Sequence, residues 1–86
     1  MRYISCNINL FTQWHTLYLH EGEQTKILGV GRIDQLPQII TGYCNQENVD
    51  IVHLIGLKVH LKPIAEEIVL INKAQYGHLD IKVEVN

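Results

Sequence analysis

Positive charge, cysteine motifs and long apolar runs are all scarce in this chain, and each scarcity removes a class of protein. Seven Lys and Arg stand against nine Asp and Glu, giving a net charge of −2 at pH 7. No long-range field therefore draws it to nucleic acid or to an anionic membrane. The only two cysteines, Cys6 and Cys44, are far apart and form no CxxC pair. The first residues, Met1 to Asn7, turn polar too early for a signal peptide. No apolar run approaches the roughly 18 residues that span a bilayer. These absences imply a cytoplasmic protein with reduced thiols, and a disulfide between Cys6 and Cys44 is the lesser alternative. Repeats, low-complexity segments and linkers are also missing, so residues 1–86 form one domain.

What is present can build a core. The 86 residues are 47% hydrophobic and 19% charged, a balance that excludes a disordered tail. A chain this short buries a modest share of its surface, so a second copy is a natural source of extra stability. Tyr3 to Phe11 alternates, with Ile4, Cys6, Ile8 and Leu10 on one side and Tyr3, Ser5, Asn7 and Asn9 on the other. That period of two marks a half-buried strand. After a tight connection at Thr12-Gln13, Trp14 to His20 reads as a second strand. Glu21-Gly22-Glu23-Gln24 reads as a hairpin loop and Thr25 to Gly31 as a third strand.

Beyond Gly31 the period changes to three and four through Leu36, Ile39, Ile40, Tyr43 and Cys44, which predicts a helix. Asp34 is the expected N-cap and Pro37 falls in the first turn. Gly42 implies either a close backbone neighbour or a mediocre helix. Val49 to Gly56 is rich in β-branched residues, lies between two helix-like segments and closes on glycine, which predicts a buried parallel strand. Leu57 to Lys62 reads as a connection, and Pro63 opens a second helix with Glu66 and Glu67 early, Lys73 late and Gly77 as its stop. Leu79 to Val85 alternates again and predicts an edge strand.

The predicted fold is α/β: β-β-β-α-β-α-β, a single mixed five-stranded sheet of order 3-2-1-4-5 with strand 2 antiparallel, and two helices. The right-handed rule for crossovers places strand 4 beside strand 1 and strand 5 beyond it.

Five histidines and two cysteines invite a zinc reading, but no HxxxH and no close Cys/His pair is present. His53 is read as a neutral core or interface histidine, and the others as surface residues; no metal or cofactor is expected. Lys58, His60 and Lys62 alternate past the carboxyl end of strand 4, where open α/β sheets bind ligands. They form a candidate anion site beside the helix that Pro63 opens, although phosphate loops carry glycines that are lacking here. The polar side of strand 1 is the stronger feature. Tyr3, Asn7 and Asn9, with Trp14 and Tyr18, make an aromatic-and-amide surface suited to protein contact; the alternatives are a sheet face left in water or one covered by the second helix with its polar groups satisfied.

The element and sheet order resemble the ribonuclease H-like superfold, shared by RNase H, Holliday-junction resolvases, retroviral integrases and actin-like ATPases. The resemblance covers nearly the whole chain and is one of topology. In the nucleases it implies an aspartate within the first strand, and further carboxylates near the fourth strand and on a helix, binding divalent metal. Here the first strand offers Ser5, Cys6, Asn7 and Asn9, with no acid, and the fourth begins at Asp50 and ends His53-Leu54-Ile55-Gly56. Asn7 is at best a weak neutral stand-in for a carboxylate. Gly29-Val30-Gly31 stands alone, so the phosphate loops of the ATPases are missing too. The sequence thus points to a non-catalytic interaction or assembly module that self-associates, with a short single-domain chain fitting a phage or mobile-element origin. The alternative is a degenerate nuclease relative that binds nucleic acid through Lys26, Lys58 and Lys62.

Overall fold

Alternating apolar side chains make the first three strands a meander, and the change to helical periodicity after Gly31 turns the chain into crossovers. The computed structural model describes all 86 residues, Met1–Asn86. Its strands are β1 (Arg2–Asn7), β2 (Trp14–Glu21), β3 (Gln24–Arg32), β4 (Ile51–Ile55) and β5 (Lys82–Val85), and its helices α1 (Leu36–Glu47) and α2 (Lys58–Ile71). The sheet order is β3-β2-β1-β4-β5, as expected. β2 runs antiparallel to β1 and β3, and β4 is parallel to both β1 and β5. No helix is long and apolar enough to cross a membrane.

Both crossovers, β3-α1-β4 and β4-α2-β5, advance across the sheet in the same direction. Right-handed connections of that kind deliver both helices to the same face. The burial pattern agrees. Ile4 and Cys6 of β1, Leu17 and Leu19 of β2, and Val52 and Leu54 of β4 are fully buried against Leu36, Ile40 and Cys44 of α1 and Leu61, Ile64 and Ile68 of α2. One core therefore lies on one side of the sheet. A buried asparagine ties the layer together: Asn72 donates from Nδ2 to the Leu79 carbonyl at 2.7 Å and accepts from Asn45 Nδ2 at 3.1 Å.

Local boundaries differ from expectation where tertiary contacts outweigh local signals. β1 ends at Asn7: the Ile8 amide makes one last bond to the Ile55 carbonyl at 2.7 Å, and the chain then turns, the Thr12 amide donating to the Asn9 carbonyl at 3.2 Å. Leu10, expected on the apolar side, is consequently exposed in the β1–β2 loop. Asp34 is not an N-cap; it lies in a 3₁₀ turn, Ile33–Gln35, that leads into α1, and no side chain caps that helix. Residues 57–62 are not a connection, since α2 begins at Lys58. The apolar stripe extends one turn N-terminal of Pro63 so that Leu61 can be buried, and the Leu61 amide donates to the Leu57 carbonyl at 3.1 Å. Pro63 forfeits only the bond to the Val59 carbonyl, and Val59 is exposed, so water can hydrate that oxygen. Glu66 and Glu67 sit beyond the first turn, away from the helix N-terminus. A widened π turn, Asn72–Tyr76, extends α2 to Gly77, whose amide donates to the Asn72 carbonyl at 2.7 Å. β4 and β5 are both shorter than the runs that announced them.

Two glycines behave in opposite ways. Gly56 closes β4 at φ +153°, and a Cβ there would meet the Ile8 carbonyl oxygen at 2.7 Å. Gly42 has neither a strained backbone nor a close backbone neighbour; a Cβ there would meet only the Tyr76 hydroxyl, at 3.7 Å. Equilibrium urea denaturation should therefore show Gly56→Ala destabilising by about 1–3 kcal/mol. Gly42→Ala should stabilise by up to about 1 kcal/mol. Equal effects of the same sign would contradict this account of β4's end.

Candidate functional site

With both helices on one side, every second residue of each strand points to a face that nothing covers. The register assembles a row across all five strands: Ile27 opposite Tyr18, Tyr18 opposite Ser5, Ser5 opposite His53, and His53 opposite Glu84. A second row runs Thr25, His20, Tyr3. Trp14, paired with Arg32, and Thr16, paired with Val30, extend the face toward the end where Asn7 pairs with Ile55.

At its centre the Tyr3 ring lies between two imidazoles, with centroids 4.3 Å from His20 and 4.3 Å from His53. The near-parallel planes, 10° and 28° apart, let the three rings share contact area that each would otherwise lose to water. Two hydroxyls fix the His20 ring: Ser5 Oγ is 2.7 Å from Nε2 and Thr25 Oγ1 is 3.1 Å from Nδ1. His53 Nε2 approaches Glu84 Oε2 to 2.9 Å, at ion-pair distance but without the angle of a hydrogen bond. Around this ordered centre the apolar groups are exposed: Trp14 at 59%, Ile27 at 65% and Val30 at 52%.

Of the residues singled out from the sequence, Tyr3, Asn7, Trp14 and Tyr18 share this face. Asn9 does not, because β1 has already ended. Its Oδ1 accepts from the Phe11 amide at 2.9 Å and its carbonyl accepts from the Thr12 amide at 3.2 Å, so it builds the β1–β2 turn. The same turn explains His15, expected at the surface but buried. Its Nε2 lies 3.2 Å from the Asn9 amide and 3.0 Å from the Asn9 carbonyl, close enough to serve one of them in either tautomer. His53, read as a core or interface histidine, is not in the core but on this uncovered face. His20, Thr25, Ile27, Val30, Ile55 and Glu84 join the face through strand register. Alternation along each strand was the available signal for all of them except Val30, which the irregularity at Leu28 brings onto this face, and the pairing that unites them is a property of the sheet.

The Ser5–His20 pair has the spacing of a nucleophile and base, with Thr25 in the orienting position. Acyl transfer would further require free donors for an oxyanion, and the strand amides around Ser5 are engaged in the ladder. None of the molecule's cavities is lined by Ser5 or His20.

Lys58, His60 and Lys62 occupy the first turns of α2 rather than a loop. At about 100° per residue, Lys58 and His60 point to nearly opposite sides of the helix. Only His60 reaches the groove of about 430 Å³ between the β1–β2 turn and the start of α2, whose walls include Ile8, Leu10, Phe11 and Leu57. Lys26 is on β3, the edge strand at the other end of the sheet order. No three His, Cys, Asp or Glu side chains converge as metal ligands. Both cysteines are buried in the core: burial pushes the Cys6 thiol from 9.0 to about 11, and burial followed by the charge of Asp50 pushes Cys44 from 9.0 to about 12.

No family model and no curated protein matches the chain. Among solved structures, that of the Aquifex aeolicus PPX-GPPA enzyme is similar to it with a TM-score of 0.38 and 16% sequence identity. That similarity covers all of this chain and 36% of the other, so this chain spans little more than a third of that protein. The functional reading accordingly rests on the chain's own residues.

A thiol whose pKa is raised by folding keeps its proton longer in the native state than in the unfolded one. The stability it contributes is fully present below about pH 9 and is lost as pH rises through about 11 and 12. At pH 8 neither thiol should react with a disulfide reagent in the native protein, and both should react once denaturant is added. Rapid labelling of either thiol in the native protein would contradict the burial that keeps them from being ligands or nucleophiles.

Proposed function

We propose that the chain is a non-catalytic interaction and assembly module of ribonuclease H-like topology, which self-associates and uses the uncovered sheet face as its contact surface. The observation that carries this reading is the exposure of Trp14, Ile27 and Val30 around an ordered Tyr3, His20 and His53 stack. A two-layer domain normally hides apolar groups beneath its helices. Here a second set sits on the side without helices, in the mixture of aromatic, aliphatic and amide groups that marks protein contact surfaces. Asn7 and Tyr18 supply hydrogen-bonding groups on the same face as Trp14, which is the kind of anchor that dominates such contacts. The nucleic-acid alternative has no comparable support, because Lys26 lies on β3 and Lys58 and Lys62 lie on α2.

Sedimentation equilibrium tests the reading. The wild-type chain should self-associate, and Trp14→Ala should weaken association by about tenfold or more. Because the Trp14 side chain is largely exposed, its removal should leave the fold intact by circular dichroism. A strict monomer at millimolar concentration would remove self-association. Binding to oligonucleotides that falls steeply with salt would replace this function with the alternative.

A further inference from the structure

The two edges of the sheet are not equivalent. β3 carries a bulge where Leu17 pairs with Gly29 but Tyr18 pairs with Ile27, leaving Leu28 as an extra residue. Such an irregularity bends an edge and blunts it against further pairing. β5 has a regular ladder to β4. The Lys82 amide donates to the Asp50 carbonyl at 2.8 Å, the Asn86 amide to the Leu54 carbonyl at 2.9 Å, and the Asn86 carbonyl accepts from the Gly56 amide at 2.9 Å. Residues 82, 84 and 86 thus turn their backbone groups inward, and by the strand's alternation Val83 and Val85 turn theirs outward.

We infer that this edge pairs with β5 of a second copy, antiparallel and centred on Val83, joining the two sheets into one of ten strands. The inference rests on the self-associating reading above and adds a contact separate from the open face. Only residues with outward backbone groups can form a hydrogen-bonded pair, so Val83 can exchange two bonds with Val83 of the second copy. That register sets Lys82 directly opposite Glu84 of the second copy, and Glu84 opposite its Lys82. Both are non-hydrogen-bonded pairs, in which side chains approach most closely. Shifting the axis by one residue along β5 would oppose Lys82 to Lys82 or Glu84 to Glu84. Like charges on an edge strand keep copies apart; these two, of opposite sign and two residues apart, complement themselves about a two-fold axis.

The surroundings suit the same partner. Beside β5 lies an apolar groove of about 490 Å³ walled by Ala65, Val69, Leu70 and Val83, with Glu66 as its polar member. A two-fold axis perpendicular to the sheet brings two such grooves together on the helical side, covering Leu70, which is 65% exposed in the single chain. The same axis leaves both uncovered faces on one side of the joined sheet.

Mixed cross-linking tests both the edge and its register. Cys6 and Cys44 are buried and do not compete. In this register an equimolar mixture of Lys82→Cys and Glu84→Cys chains should form an inter-chain disulfide under mild oxidation, while either variant alone should form little. Cross-linking of one variant alone, at least as fast as the mixture, would overturn the register. Failure of every combination while the wild type associates in sedimentation would overturn the edge contact and leave the open-face reading standing. A monomeric wild type would overturn both. Charge exchange provides a second check: Lys82→Glu should weaken association, and the Lys82→Glu, Glu84→Lys double variant should restore it. No restoration would count against the pairing of Lys82 with Glu84.

Discussion

The handedness of two crossovers decides which surface this protein leaves bare. Right-handed connections between parallel strands are enforced by strand twist, and here both advance the same way across the sheet. They leave the chain no means of placing a helix on the second face. The core on the helical side runs from Ile4 and Leu17 to Leu54 and Ile68. Apolar residues on the other side find only one another and water. With 86 residues and two helices, the molecule builds two of the three layers common in larger α/β domains.

The uncovered face is structured rather than merely exposed. Tyr3 stacks with His20 and His53, hydroxyls from Ser5 and Thr25 hold His20, and Glu84 lies against His53. These contacts order the middle of the sheet before any partner arrives, which lowers the entropy lost on association. The parts of Trp14, Ile27 and Val30 still in water would supply a desolvation gain to the proposed contact. The proposed assembly role and the proposed β5 pairing follow from the same asymmetry: one face without helices and one edge without irregularity. Neither depends on the carboxylate chemistry that the ribonuclease H-like nucleases use.

The sequence made the architecture legible because both periods were clean. Alternation through Ile4, Cys6 and Ile8, and again through Ile81 and Val83, marked strands; Leu36, Ile40 and Cys44 marked a helix; the handedness rule then ordered the sheet. Reading failed where a local signal competed with tertiary packing. Pro63 looked like a helix start, yet burying Leu61 was worth more than one bond at an exposed carbonyl. Asp34 looked like a cap, but the chain needed a 3₁₀ turn there to leave β3. Asn9 looked like part of a polar strand face until the turn took it. Four of the five proposed contact residues fell together because alternation alone places them. The histidine–tyrosine stack could not be read, since it depends on which residue of β1 sits opposite which residue of β2 and β4. Lys58, His60 and Lys62 looked like one loop cluster; in the helix Lys58 and Lys62, four residues apart, share a face and His60 points away from them.

The central claim is that the helix-free face is bare in the single chain and becomes covered in the assembly. Solvent paramagnetic relaxation of methyl protons, recorded by NMR over a dilution series, addresses it residue by residue. The methyls of Ile27, Val30 and Ile55 should be strongly relaxed in dilute protein and become protected as concentration rises. Those of Ile4, Leu17 and Leu54 should stay protected throughout. If the first group remains fully accessible at every concentration, the face is not a contact surface for this chain. If that group is already protected at the lowest concentration, where the chain is monomeric, the face was never bare.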